Sequence, residues 1–374
     1  LPVALPSVGL SAVFLDSSGG SIEPLLYVLL IWAARTRPLL CGVVVGIGFL
    51  NREFAIYGLA ALACVEALDG RLMTRPGVAH MARVVGVAAA NWLAAQGLNR
   101  LSSASGPGTT AADVFTRSNN IAELATRTCV SPAKAMTGAA KLVSIHWPAV
   151  LGTARYPLTA FSIESRISQG APWSSLLPAA LLVLSLAGII IGGHRVTRGN
   201  EPAKRFAHYL VLCGLFSIAG YLFGRCGEVS FFTMRYELLS VVGLAGLAGW
   251  FLSARPSRPL LGCWLMIFAA WLAVIAVPHA RLLAEYATAP PVPAKRELIH
   301  ALQARGVKYG YADYWLAYYI DFITDERMIF ASVSPQRILV YNAIVATHAA
   351  EAVRLSRRPC DGGVRLITGV YSCP

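Results

Sequence analysis

Charge is what this chain has least of. Only 14% of its 374 residues are Asp, Glu, Lys or Arg, against about 25% in an average soluble domain. The charges that exist are 19 acidic and 32 basic, a formal net charge of +13. The excess does not read as a nucleic-acid footprint, because no basic run is interleaved with aromatic residues. A glycine-rich phosphate loop is missing, so nothing points to a nucleotide cofactor. No CxxC pair or Cys/His cluster suggests a structural metal. The chain begins at Leu1 without the n-region, h-region and cleavage site of a signal peptide, and it is expected to lack an upstream segment.

What replaces charge is long apolar runs. The chain is 56% hydrophobic, with a mean hydropathy of +0.58, which predicts a polytopic membrane protein. The runs are Ile22–Ala34, Pro38–Leu50, Phe54–Leu68, Met81–Leu98, Trp173–Gly193, Phe206–Phe223, Val229–Leu252 and Pro259–Val277. A straight span needs about 20 residues, so the first three are tilted or stop short of the far surface. Four basic clusters punctuate the runs: Arg35/Arg37; Arg71/Arg75/Arg83; His194 to Arg205; Arg255/Arg258. Placing all four in the cytoplasm satisfies the positive-inside rule. Residues 1–20, a long loop 99–172, the tip between Leu50 and Phe54 and everything after about residue 285 then lie outside.

The composition changes near Pro290-Pro291-Val292-Pro293, a linker. Beyond it, helix is expected over Ala294–Ala304 and Tyr314–Ile323, and strand over Val307–Tyr311 and Met328–Ser332. His348–Leu355 reads as part of a helix and Val364–Tyr371 as one strand. This alternation predicts a small α/β domain with a partly parallel sheet. The expected fold is therefore a membrane domain over 1–285, with about seven to eight helices, followed by an extracytoplasmic α/β domain over 286–374. Cys360 and Cys373 flank the last predicted strand, and an oxidising outer face would let them form a disulfide; Cys129–Cys226 is a weaker pairing.

A few polar residues stand out against the apolar background. Asn51-Arg52-Glu53 interrupts two apolar runs, and ionisable groups at membrane depth usually line a cavity and do a job. Arg52 and Glu53 read either as a cavity wall gripping an anion or as a pair capping a helical hairpin at the headgroups. Arg235-Tyr236-Glu237 lies near the expected outer end of the run Val229–Leu252. A guanidinium there suits a phosphate through two parallel hydrogen bonds; the alternative is a snorkelling Arg with an interfacial Tyr, which leaves the deeper Glu237 unexplained. Asp16 and Glu23 flank a Gly/Ser turn and read as a general base at a membrane-edge cavity, or as a loop in which Ser21 caps the next helix. In the outer domain, Asp313 sits where a helix N-cap is expected, and Tyr314 and Trp315 read as core, sugar-stacking or interfacial surface. His146-Trp147-Pro148 reads as a membrane-skimming turn, and a lone His there argues weakly for a metal.

Three stretches carry a resemblance: Gly46-Ile47-Gly48-Phe49-Leu50-Asn51-Arg52-Glu53, Arg235-Tyr236-Glu237-Leu238-Leu239, and Gly310-Tyr311-Ala312-Asp313-Tyr314-Trp315-Leu316-Ala317-Tyr318. With the order of spans, outer loop and terminal domain, they resemble the bacterial branch of the GT-C glycosyltransferases, the membrane protein-mannosyltransferase and aminoarabinose-transferase-like group. The resemblance implies transfer of a sugar from a polyprenyl-phosphate carrier to a glycan, lipid or protein acceptor outside the bacterial inner membrane. It implies that Arg235 contacts the carrier phosphate and that Arg52 lines the same cavity. It also implies a main catalytic acid on a loop upstream of Leu1, with Asp16 and Glu23 as secondary acids. No cofactor is required by the motifs, and a divalent cation stays an open alternative. Membrane lipids are the expected surroundings, and nucleic acid is not an expected partner. The competing reading is a transporter or flippase for a lipid-linked or anionic substrate, which would also use intramembrane charge. It predicts repeats and matched broken helices, and no such repeat is evident in the sequence.

Overall fold

The computed structural model describes residues 23–51, 54–103, 131–152, 176–192, 201–224, 238–288, 294–333, 336 and 338–374. They form two compact units, one ending at Glu285 and one holding Tyr286–Pro374.

The first unit is helical. In chain order its helices are α1 (Glu23–Ala34), α2 (Pro38–Asn51), α3 (Ala55–Leu68), α4 (Arg75–Ser103), α5 (Pro132–Lys141), α6 (Trp147–Leu151), α7 (Leu176–Gly192), α8 (Glu201–Gly224), α9 (Leu238–Ser253) and α10 (Arg258–Thr288). A π-helical turn, Leu142–His146, joins α5 to α6. Proline stands in the first turn of α2, α4, α8 and α10, where its missing N–H costs nothing and its fixed φ starts the helix. Among the described residues, three stretches are long and apolar enough to cross a membrane: Arg75–Leu98, Pro202–Phe223 and Arg258–Arg281. Five further apolar helices, α1, α2, α3, α7 and α9, are shorter. Helices α4, α8 and α10 run past the apolar stretches on which the sequence reading placed them, because hydropathy marks only the oily part of a helix that continues into polar flanks.

Large apolar side chains cover the outside of this unit as well as its interior. Leu39, Leu93, Val183, Ile190 and Met266 are all more than half exposed, a surface suited to lipid. Inside, packing depends on small residues, as lipid-embedded helices require. Helices α8 and α9 meet at Gly214 and Gly243, where a Cβ on Gly214 would stand 2.7 Å from the Gly243 Cα. Buried polar groups are tied down locally. The Tyr209 hydroxyl donates to the Val28 carbonyl at 2.8 Å, Trp264 Nε1 donates to Ser185 Oγ at 3.0 Å, and Trp271 Nε1 donates to the Leu151 carbonyl at 2.7 Å.

The second unit is a small α/β domain with helices α11 (Ala294–Gln303), α12 (Tyr314–Ile323) and α13 (Leu339–Thr347) and strands β1 (Tyr309–Ala312), β2 (Ile329–Ser332), β3 (Val353–Ser356), β4 (Val364–Ile367) and β5 (Val370–Cys373). The sheet order is β2-β1-β3-β5-β4. Strand β1 pairs in parallel with β2 and β3, while β3–β5 and β4–β5 are antiparallel. The partly parallel sheet is as expected; two details differ. Residues 348–355 are not helical: α13 ends at Thr347 and Val353 opens β3. The β-branched Val353 and the alternating Leu355 fit a pleated central strand, paired with β1 and β5, better than a helix. The single strand expected over 364–371 is a hairpin, broken where Gly369 takes a φ of 82° that only glycine adopts freely. Leu298, Leu302, Leu316, Ala317, Ile320, Phe330 and Val370 form the core. Gly310 lets Phe330 pack on β1, since a Cβ there would lie 2.3 Å from the ring. The expected disulfide joins Cys360 to Cys373 with Cα atoms 6.0 Å apart; Cys129 and Cys226 lie outside the described residues.

Candidate functional site

The two ends of the helical bundle carry different chemistry. At one end Arg205 on α8 donates to Glu66 Oε1 at 2.7 Å and pairs with Asp69, both at the C-terminal end of α3. The Arg35 carbonyl after α1 lies 2.9 Å from His80 Nε2 on α4. The T-shaped contact of Trp250 with His208, centroids 4.2 Å apart, brings the C-terminal end of α9 to the same level. The Arg35/Arg37, Arg71/Arg75, Lys204/Arg205 and Arg255/Arg258 groups therefore lie toward one end of the unit, while Arg83, expected with the second group, stands about two turns inside α4. His194, Arg195 and Arg198 lie outside the described residues.

The other end is where the sequence-predicted site residues attach. Arg52, Glu53, Arg235, Tyr236, Glu237 and Asp16 lie outside the described residues, but the elements that flank them are placed. Helix α2 is 14 residues long, which carries Asn51 about 20 Å from the Arg37 end at 1.5 Å per residue. Its Gly48 packs on Tyr27 and on Ala55 at the start of α3. One turn before Tyr27 is Glu23, the first residue of α1. Tyr57 reaches Gly220 near the C-terminal end of α8. The antiparallel pairing of Gly214 with Gly243 sets Leu238, where α9 begins, beside that same end. The stretches bearing Arg52–Glu53 and Arg235–Glu237 thus join the bundle at one end, together with Glu23.

A third element reaches this end, and the sequence reading underrated it. The amphipathic helix α5, the π turn and the apolar α6 form one segment seated against α8, with Gly138 against Leu222 and the His146 ring 6.3 Å from the Tyr221 ring. His146 is 1% exposed. It closes the π turn, an irregularity frequent at functional sites, and it is buried in the bundle rather than skimming its surface. The available signal was a histidine inside the apolar stretch Leu142–Leu151, a poor place for an ionisable ring without a task.

In the α/β domain the sequence-predicted residues are structural first. Asp313 Oδ1 accepts from the Trp315 and Leu316 N–H groups, both at 3.2 Å, the N-cap geometry expected. Arg357 donates to both carboxylate oxygens, at 2.8 and 3.1 Å. Tyr314 stands edge-on to Trp315 and Tyr318, leaving Trp315 39% exposed. A carboxyl not singled out in the sequence is buried nearby: Asp321, 2% exposed, accepts from the Phe330 N–H at 2.6 Å through Oδ1, and its Oδ2 has no hydrogen-bond partner among the described residues. Burial, with Glu326 adding to it, pushes this carboxyl up from 3.8 to about 7 against the opposing Phe330 amide. The Tyr341 hydroxyl donates to Glu326 Oε1 at 2.6 Å and is itself raised to about 12, burial first.

Among the described residues no group of three or more His, Cys, Asp or Glu side chains could hold a metal ion. Neither a protein-family model, nor a curated protein, nor a solved structure matches the chain.

Proposed function

We propose that this chain is a bacterial inner-membrane glycosyltransferase of about seven to eight membrane helices, moving a sugar from a polyprenyl-phosphate carrier to an acceptor on the outer face. The observation that supports the reading is the polarity of the bundle: Arg35, Arg71, Arg205 and Arg258 lie toward one end, and the attachments of the Arg52–Glu53 and Arg235–Glu237 stretches lie at the other. With the arginine end in the cytoplasm, the opposite end lies at the outer headgroups, where the phosphate of a lipid-linked donor must sit. The disulfide of the terminal domain fits an oxidising outer compartment.

In this reading Arg235, with Arg52, holds the carrier phosphate through charge-assisted hydrogen bonds. The sugar–phosphate bond breaks as the acceptor attacks the anomeric carbon, and the developing phosphate charge is offset by guanidinium groups in a site shielded from water. Glu23 stands at the same end for proton transfer or acceptor binding, and His146 with Tyr221 supplies further polar groups toward that end. The test is sugar transfer from a labelled polyprenyl-phosphate sugar by the full-length protein in vesicles. Arg235→Ala is expected to abolish transfer while the protein keeps its elution profile and melting temperature. Undiminished transfer would remove Arg235 from the site. Movement of intact labelled carrier across the bilayer without transfer would favour the flippase reading.

A further inference from the structure

The arginine end of the bundle holds a cleft that the proposed chemistry at the other end does not use. It has a volume of 390 Å³ and is lined by Trp32, Arg35, Asp69, Arg71, Pro202 and Arg205. The three guanidinium groups are not equivalent. Arg205 is committed, its charge answered by Glu66 and Asp69. Arg35 lies over the Trp32 ring, 4.3 Å from its centroid, and spends one N–H on the Trp32 carbonyl at 2.8 Å. That leaves the rest of its donor fork uncommitted. No carboxylate of the described residues pairs with Arg35 or Arg71. The cleft therefore keeps two cationic groups that no carboxylate among the described residues neutralises, beside a tryptophan.

The surroundings are apolar. On the turns of α1 and α2 next to Arg35 and Arg37, Leu29, Leu30, Leu39 and Leu40 are between 40% and 63% exposed. A basic cleft at the end of lipid-facing helices, with an aromatic ring at its edge, sits at the depth of headgroup phosphates. Arg35 is held in place by its ring and carbonyl contacts, so it loses little freedom when an anion arrives. Asp69 limits the net charge, which favours one phosphate over a polyanion.

We infer that this cleft binds the phosphate of an anionic phospholipid of the cytoplasmic leaflet, with Arg35 and Arg71 as its ligands and the acyl chains running along α1 and α2. The site is independent of the glycosyltransferase reading and stands or falls without it.

The test is native mass spectrometry of the full chain in non-ionic detergent, titrated separately with dioleoyl phosphatidylglycerol, dioleoyl phosphatidylcholine and inorganic phosphate. The wild type is expected to retain phosphatidylglycerol in preference to phosphatidylcholine. Arg35→Gln and Arg71→Gln are each expected to weaken phosphatidylglycerol binding by about five-fold, and Arg258→Gln, at the same end but off the cleft, to leave it unchanged. Asp69→Asn, which frees part of the Arg205 charge, is expected to strengthen it, so the proposal stays testable if an arginine variant folds poorly. Equal retention of both lipids, or wild-type retention by the Arg35→Gln/Arg71→Gln double variant, overturns the assignment. Displacement of the lipid by excess inorganic phosphate would also overturn it, in favour of a soluble anion.

Discussion

The buried carboxyl of Asp321 makes the stability of the α/β domain depend on pH in a direction opposite to that of most surface carboxylates. Its side chain is 2% exposed, with one oxygen held by the Phe330 N–H at 2.6 Å and the other unpartnered among the described residues. Burial favours the neutral acid and raises its pKa from 3.8 to about 7. Between those values the folded domain keeps a proton that the unfolded chain has released. Stability therefore falls as pH rises through this window and levels off above about 7. At 1.36 kcal/mol per pKa unit, moving from about pH 5 to about pH 8 removes about 2.5 kcal/mol. The assay is hydrogen exchange of peptides covering β2 in the intact protein, corrected for the intrinsic pH dependence of exchange. Where β2 exchanges through unfolding of the domain, protection is expected to fall by about two orders of magnitude over that range. Asp321→Asn keeps an acceptor for the Phe330 N–H and cannot ionise. It is expected to start lower, because a buried amide N–H replaces the unpartnered oxygen, and to show a flat profile. Equal wild-type protection at both pH values would refute the assignment, as would a slope that survives in Asp321→Asn.

Three further predictions follow from the packing. Gly214→Val should force α8 from α9 and cost about 1–3 kcal/mol, read as a lower melting temperature in detergent; Gly249→Ala, with open space around its Cβ, should not. Replacing Cys360 and Cys373 by Ala opens a loop of sequence separation 13 and should destabilise the domain by about 3 kcal/mol on the chain-entropy model, measured by exchange in the β4–β5 hairpin. Arg205→Gln leaves Glu66 and Asp69 without their partner at 21% and 28% exposure and should cost about 1–2 kcal/mol; Glu66→Gln in the same chain should recover part of it, as a double-mutant cycle in thermal unfolding would detect.

Different parts of this molecule were legible in the sequence for different physical reasons. The helices were readable because outward-facing and core-facing residues are both apolar, so each appears as a nearly unbroken run such as Phe54–Leu68. The same uniformity hides helix ends: α10 continues to Thr288 through Arg281 and Glu285, where hydropathy has already fallen. The gathering of Arg35, Arg71, Arg205 and Arg258 toward one end was also readable, because these charges fall in the connections between alternate apolar runs and reading them needs no contact information. Which arginine is neutralised was not. The pairing of Arg205 with Glu66 and Asp69 spans well over a hundred residues of chain and depends on α8 packing against α3. Asp321 was missed for a related reason. Its burial comes from β2 crossing over α12, and within Tyr314–Ile323 it reads as one polar residue on an amphipathic helix. His146 illustrates the converse. Its place in an apolar stretch was visible, but only the packing of α5 and α6 against Tyr221 and Leu222 turns that stretch from a surface turn into part of the bundle. Local pattern marks the apolar runs; the burial of a single polar residue within or beside one, and the partners that decide its role, come from other segments. Under the two proposals, Arg35 and Arg71 at one end and the Arg52–Glu53 and Arg235–Glu237 stretches attached at the other would each hold a phosphate on a lipid.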